Sequence, residues 1–502
     1  MLKKKQKSKE KTVKEVCDII FSLEEKYDLN HMKIQGVYVW QLIRFYMYIE
    51  ISKKIGVFHS PPQQRTLTLK DKIFSFLPFI KNSIFSNPLS GNYHKDILLF
   101  DHPRRVLYDG EYKDIYSYFL IDELEDLDSI NIKSSYEVIE SPYLNKHYTK
   151  KEDYIKYNDR ILLGSYINKK LSKLKFETEE IDKINALKRE LKSSFNIKID
   201  LFNIMKTHIL DFKYHYKKYD KLFKKRTPKY VFVVVAYENK SMIAAAKNNG
   251  VEVIELQHGT ISKYHLGYSY PNPQDKDLKY FPDKILSFGE YWKDVSDYPI
   301  DKEKIISIGF PYLDETIESF RDNKKNKNQI LFISQGVIGK YLSEFAYELA
   351  KGLGNKEKET DKLENKEENN DYQIIYKLHP GEYYNWENNY KLLKKANEYD
   401  NFTVIDNSEK PLYELFSKSE YQIGVFSTAI YEGLLFNCKT FLVDLPGVYH
   451  LNDLVKKDYV KKIKDPNEFI ESISDFKINN YDRDFFFKKY NKNVLKKILK
   501  NN

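Results

Sequence analysis

Two short stretches in the C-terminal half of the chain pair residue types suited to gripping a phosphate. His379-Pro380-Gly381 follows the apolar run 373–378, and Ser427-Thr428 follows the run 421–425 and opens a helical pattern over 429–436. An imidazole can donate to phosphate oxygen. A helix start offers unpaired backbone N–H groups, here with two hydroxyls beside them. Glu432 comes one helical turn after Thr428, placed to accept from a ribose whose phosphate sits at Ser427 and Thr428. Each residue also has a plain structural reading as an N-cap, a turn or a solvated helix side chain. Their recurrence at the ends of two strands points to a ligand.

The N-terminal half repeats the arrangement. The run 251–256 ends in Gln257-His258-Gly259-Thr260, with His258 at a strand tip where a general base for a hydroxyl is useful. The run 230–236 (YVFVVVA) ends in Tyr237-Glu238-Asn239, and 96–100 (DILLF) ends in the titratable group Asp101-His102-Pro103-Arg104-Arg105. His258, Glu238 and the arginines also have structural readings as a core histidine, a helix cap and solvated cations.

These positions matter only if a parallel sheet brings them to one edge. The β-branched run 230–236 reads as a strand buried on both faces. Further strand-length runs fall at 251–256, 284–288 and 305–308, then at 329–334, 372–378, 402–405, 421–425 and 440–443, with helical stretches such as 241–249 and 341–351 between them. Strands alternating with helices predict parallel α/β sheets, whose ligands collect at the carboxyl ends of the strands. The expected organisation is a helical region over 1–90, an α/β domain over 91–315 with a helical insertion at about 113–220, a second α/β domain over 329–480 with a charged insertion at 355–371, and a basic amphipathic helix over 481–502.

Composition narrows the class. The 502 residues exceed one core and suggest two or three domains. Hydrophobic residues at 41% and aromatics at 15% exclude a mainly disordered chain. Mean hydropathy of -0.62 and the lack of any uncharged apolar run of about 18 residues argue against a membrane span, and the basic first residues do not lead into a signal core. A cytoplasmic chain is expected. Cys17 and Cys438 are too few for a disulfide framework or a four-cysteine zinc site. The net charge of +10 is the difference of 83 basic and 73 acidic residues, so the excess suits a polyanion without selecting one.

Four segments in a fixed order carry a resemblance: Leu256-Gln257-His258-Gly259-Thr260, Gly309-Phe310-Pro311-Tyr312-Leu313-Asp314, Lys377-Leu378-His379-Pro380 and Ser427-Thr428-Ala429-Ile430-Tyr431-Glu432. Over about residues 230–450 the chain resembles bacterial GT-B glycosyltransferases of surface-polysaccharide synthesis. Within that set it looks like the capsule-type sialyltransferases and Kdo transferases, and like the CDP-glycerol glycerophosphotransferases. The resemblance implies two Rossmann-like α/β domains facing a cleft, with the donor nucleotide held mainly by the C-terminal one. It implies that His379, Ser427 and Thr428 contact donor phosphate. His258 maps onto the proposed base of the glycerophosphotransferases. The sialyltransferases use an acid of the N-terminal domain, for which Glu238 and Asp101 stand as alternatives, with Arg104 and Arg105 on the acceptor side. No cofactor and no metal are expected.

The function so implied is transfer of a sugar from a CMP- or UDP-type donor to a hydroxyl of a surface glycan or lipid-linked acceptor. Transfer of a polyol phosphate from a CDP-activated donor is the alternative, since the same residues serve attack on phosphorus. A non-catalytic polyanion-binding protein is a second alternative. Nucleic acid is not an expected partner, because basic and acidic residues are interleaved and no nucleic-acid-binding signature is present. The basic stretches 3–11 and 488–500 and the apolar patch 73–84 suggest an anionic membrane surface as a further partner.

Overall fold

Strands that are apolar on both faces need helices above and below them. In the computed structural model, which describes residues 11–58, 79–108, 111–120, 123, 135–140, 155–276, 278–359, 372–473, 475–477 and 481–500, the chain builds two such parallel sheets. It divides into two compact units, one of residues 18–48, 67–312 and 484–502 and one of residues 1–17, 49–66 and 313–483.

The chain starts with helix Val13–Tyr27, the hairpin β1 (Lys33–Ile34) and β2 (Val37–Tyr38), and helix Val39–Lys54. Positive φ at Gln35 and Gly36 makes the hairpin turn. Beneath it a buried pair holds the helices together: Arg44 donates to Glu24 through Nε and Nη2, and Trp40 Nε1 donates to the same carboxylate at 2.7 Å.

The larger sheet then forms. Strand β3 (Ile97–Phe100) is followed by a hairpin of β4 (Arg105–Tyr108) and β5 (Glu111–Asp114), then by β6 (Tyr136–Glu140), β7 (Ile155–Tyr157), β8 (Tyr230–Val234), β9 (Glu252–Leu256), β10 (Lys284–Ser287) and β11 (Ile305–Ser307). The seven-stranded order is β11-β10-β9-β8-β3-β6-β7, parallel throughout. Its core joins Leu98, Val231, Val233 and Val253 to Leu222 and Phe223 of helix Leu201–Arg226.

This corrects the helical insertion expected at about 113–220. Helices Asp159–Leu171, Thr178–Phe195 and Leu201–Arg226 are there, but β6 and β7 precede them and belong to the sheet. Strand β6 reads Tyr-Glu-Val-Ile-Glu, and its two carboxylates broke the apolar signal. Both are fully buried because each has an arginine. Arg226 Nε donates to Glu137 at 3.0 Å, and Arg105 pairs with Glu140.

The smaller sheet comprises β12 (Asn326–Ile333), β13 (Gln373–Lys377), β14 (Phe402–Ile405), β15 (Ser419–Gly424), β16 (Lys439–Val443) and β17 (Lys461–Ile463), parallel in the order β14-β13-β12-β15-β16-β17. Helix Gly339–Glu359 runs into the region expected as a charged insertion; the rest of that insertion, 360–371, lies outside the described residues. So do the basic start 3–10 and the first half of the apolar patch, 73–78.

The basic tail helix Lys492–Lys500 packs on the unit of the larger sheet. Leu495, Ile498 and Leu499 are buried, and Tyr230 donates to the Leu499 carbonyl at 3.4 Å. Its apolar side is committed to the fold. Among the described residues no helix is long and apolar enough to cross a membrane.

Arg226 also donates to the carbonyls of Pro88 and Ser90. Arg226→Met leaves Glu137 charged and buried without its cation, and should destabilise the unit by about 3–5 kcal/mol in urea unfolding. Adding Glu137→Leu to that variant should recover part of the loss; no recovery would show that the carbonyl bonds, not the ion pair, set the effect.

Candidate functional site

Each unit presents chemistry at the carboxyl edge of its sheet, as parallel strands require. In the smaller sheet β13 and β15 flank β12, so three neighbouring loops emerge together. His379 is exposed at the end of β13, and its backbone N–H donates to Glu382 Oε2 at 2.9 Å. The Gly381 N–H donates to His379 Nδ1 at 3.1 Å. With Nδ1 accepting, the neutral ring carries its proton on Nε2, which becomes a donor. The turn therefore sets the tautomer as well as the position.

Glu382 organises that turn from inside. It is fully buried, accepts from Tyr390 at 2.7 Å and Ser334 at 3.1 Å, and burial raises its pKa. Helix Gly339–Glu359 begins against it: a Cβ on Gly339 would lie 2.3 Å from Glu382 Oε1, so only glycine permits the approach. The third loop follows β15. Ser427 caps helix Thr428–Leu435 and accepts from the Ala429 N–H at 3.2 Å, while the Phe426 N–H donates to Gln335, just after β12, at 3.4 Å. Gly433 lets this helix lie on Gln422 of β15, where a Cβ would come within 2.2 Å of the amide oxygen. The expected phosphate-gripping residues His379, Ser427 and Thr428 thus share one sheet edge. Glu432 differs from expectation: it is 1% exposed, turned into the fold one turn below Thr428 rather than presented to a ribose.

In the larger sheet the loop after β9 carries His258. Gln257 anchors it, donating to the Gly259 carbonyl at 2.9 Å and accepting from the Phe288 N–H at 2.9 Å. Tyr116 donates to the His258 carbonyl at 2.8 Å, and Arg104 Nη1 reaches the Tyr116 hydroxyl at 2.9 Å. The imidazole is half-buried among rings. His258 Nδ1 lies 3.4 Å from the Tyr268 hydroxyl and Nε2 lies 3.5 Å from that of Tyr237. Burial, then the neighbouring His102, His265 and Arg104, hold its pKa well below the ordinary value. His258 is therefore neutral at physiological pH, the form a base requires.

The other expected residues separate. Arg104 joins His258 through Tyr116, and Glu238 is exposed in the turn after β8. Asp101 and Arg105 do not present a free acid and base: their side chains are buried and ion-paired, with Glu140 sharing the guanidinium. Hydrophobic strand ends hid this reading, because a five-residue cluster of charges after a strand looks exposed when its buried partner lies far along the chain.

Sequence reasoning missed several contributors. His102 lies 6.1 Å from the His258 ring, donates its backbone N–H to the buried Asp114, and accepts from the Arg104 N–H at 3.0 Å. Burial and then Arg104 lower its pKa to about 4. Below the loop, Glu255 of β9 is buried between β8 and β10. It accepts from Tyr268 at 2.6 Å and from the Ala236 N–H at 3.0 Å. That N–H is aimed by Val235, whose φ of 59° is left-handed, a conformation costing a β-branched residue on the order of 1–3 kcal/mol. Helix Val39–Lys54 backs the loop: Phe45 stacks on His265 at 5.3 Å, and Arg44 donates to the Leu266 carbonyl. The one available signal was Glu255 itself, a carboxylate inside an apolar strand.

A profile described as LIC12162 family transferase matches residues 102–464. No curated protein matches the chain. Similar solved structures include UDP-GlcNAc 2-epimerase from Neisseria meningitidis bound to UDP-GlcNAc, at 15% identity over 81% of this chain and 99% of that one, with a TM-score of 0.45. The glycotransferase of kitacinnamycin is 10% identical over 77% and 90%, TM-score 0.40. The wall teichoic acid polymerase TagF, in a variant form, is 13% identical over 86% and 97%, TM-score 0.37.

Because the fold holds His102 neutral to about pH 4 while the unfolded chain protonates near 6.5, the unfolded state binds more protons in that window and stability must fall as pH drops through it. His102→Asn keeps an acceptor for the Arg104 N–H and removes the titration. In urea unfolding at pH 7.5 and pH 5, the variant should lose less stability between the two than the native chain. An equal loss would mean that His102 is not held neutral.

Proposed function

The chain belongs to the LIC12162 family of transferases, and from that premise we propose that it moves a sugar from a nucleotide-activated donor, of the CMP or UDP type, to a hydroxyl of a surface glycan or lipid-linked acceptor. The observation that carries this reading is the His379 turn. Its bond from Gly381 makes Nε2 a donor at the same sheet edge as the capped start of helix Thr428–Leu435.

The chemistry follows from where charge grows. When an acceptor hydroxyl attacks the anomeric carbon, the bond to the donor phosphate breaks and negative charge develops on the leaving nucleotide. His379 and the N–H groups with Ser427 and Thr428 would meet that charge more strongly in the transition state than before it. His258, neutral at physiological pH, takes the proton of the acceptor hydroxyl. Arg104, joined to the His258 backbone through Tyr116, favours an acceptor that carries negative charge. Glu238 is the alternative base, exposed at the end of β8.

The test is a thermal-stability screen against nucleotides followed by product analysis. A donor nucleotide at 100 times its Kd stabilises the chain it binds by about 2.7 kcal/mol. His379→Ala should remove most of that shift while leaving the unliganded melting point close to native, and should lower kcat on the order of 100-fold. Collapse of the unliganded variant would assign His379 to structure. Release of the nucleotide with sugar transferred supports the proposal; CMP released with a polyol phosphate transferred overturns it in favour of attack on phosphorus. No nucleotide response at all, with steeply salt-dependent binding to polyanions, would make the chain a binding protein.

A further inference from the structure

The ring of His258 can act on a hydroxyl proton through only one nitrogen, and the residues beneath it decide which. Tyr268 has one hydroxyl proton, and it points to Glu255 Oε1 at 2.6 Å. The same oxygen accepts from the Ala236 N–H at 3.0 Å, so it is held as an acceptor from two sides. With its proton engaged, the Tyr268 oxygen can only accept from the imidazole nitrogen 3.4 Å away, His258 Nδ1. The ring's proton then sits on Nδ1, and Nε2 keeps a lone pair. Nε2 faces the Tyr237 hydroxyl at 3.5 Å.

We propose that Glu255, acting through the Tyr268 hydroxyl, fixes the Nδ1–H tautomer of His258 and so makes Nε2 the base of the transfer reaction. The inference rests on the proposed role of His258 for its catalytic meaning, but the tautomer itself does not depend on that role. Glu255 and Tyr268 are positioning residues. The geometry resembles an acid holding a histidine in the correct tautomer, with a phenol placed between the two.

The device has a direction in pH. Burial raises the Glu255 carboxyl to about 7. Ionised, it can only accept, and the chain of donors runs from His258 toward it. Protonated, it can donate to the Tyr268 oxygen, the hydroxyl turns to His258 Nδ1, and the ring proton moves to Nε2. Activity should therefore rise as pH rises through about 7. The groups facing this pair are His102, Arg104 and Tyr116 from the segment after β3, Tyr237, Glu238 and Lys240 after β8, His265 in the loop after β9, and Tyr298 after β10. Of these, His102 is neutral above about pH 4 and Lys240 is lowered to about 7 by burial and then by Arg44. The titration of Lys240 overlaps, so the pH limb must be assigned by substitution.

Two isosteric variants and one ligand-free measurement test the proposal. Long-range proton–nitrogen spectra of the full chain labelled at histidine nitrogens report the tautomer, with the His258 signal identified by its loss in His258→Gln. At pH 8 the native chain should show Nε2 unprotonated. Tyr268→Phe should shift the ring toward protonated Nε2 and lower kcat/KM about 10- to 100-fold with little change in donor KM. Glu255→Gln cannot ionise, so it should lower the rate at pH 8 and abolish the limb near pH 7. A protonated Nε2 in the native chain, or an unchanged tautomer in Tyr268→Phe, would overturn the inference. A limb that persists in Glu255→Gln would remove Glu255 as its source. Separately, His258→Ala transferring at the native rate would refute the base assignment while leaving the tautomer result standing.

Discussion

Every strand of a parallel sheet leaves on the same edge, and this constraint decides where the chain can do chemistry. Side-chain identity along the strands is spent on burial, so the residues free to act are those in the first few positions after each strand. In the smaller sheet this gathers the loops after β12, β13 and β15, tied by Ser334 to Glu382 and by Phe426 to Gln335. In the larger sheet it gathers the segments after β3, β8 and β9, tied by Tyr116 and Tyr268. The internal bonds of these loops leave their imidazoles few orientations.

Behind each of these histidines stands a buried acid. Glu382 receives the backbone of His379, Asp114 that of His102, and Glu255 the hydroxyl beside His258. A carboxylate out of water is costly unless its lone pairs are occupied, and each of these accepts at least two hydrogen bonds. The cost of burial is offset by bonds that fix a turn in one conformation. The acid shapes the backbone that presents the imidazole. The strained φ at Val235 belongs to the same scheme, since it is tolerated where a buried acceptor holds the next N–H.

How much of this the sequence showed depended on whether a residue's partner was local. The uninterrupted apolar strands, the turn at His379 and the cap at Ser427 are set by neighbours within a few positions, and the two α/β sheets with helices at the N-terminus followed from them. Strands β6 and β7 did not, because Glu137 and Glu140 are made compatible with a sheet by Arg226, 89 positions away, and Arg105, 35 away. The same blindness hid the burial of Asp101, whose arginine is shared with Glu140. Glu255 could have been found as a charge at the end of an apolar strand, but its role depends on Tyr268 and on the backbone of Ala236, neither of which has a sequence pattern.

The tail has a consequence for how the protein is made. Residues 484–502 belong to the unit of the larger sheet, where Trp292 Nε1 donates to the Phe486 carbonyl across 194 positions of chain and Gly289 lies directly under the Phe485 and Phe486 backbone. A ribosome adding on the order of 5–20 residues per second therefore releases the larger-sheet unit incomplete, its last piece still to be translated after the whole of the smaller sheet. During that interval Trp292 and Gly289 lack the backbone segment that packs on them. Helix Lys492–Lys500 then acts as a closing clasp, and the unit reaches its finished state only after the smaller sheet has been made.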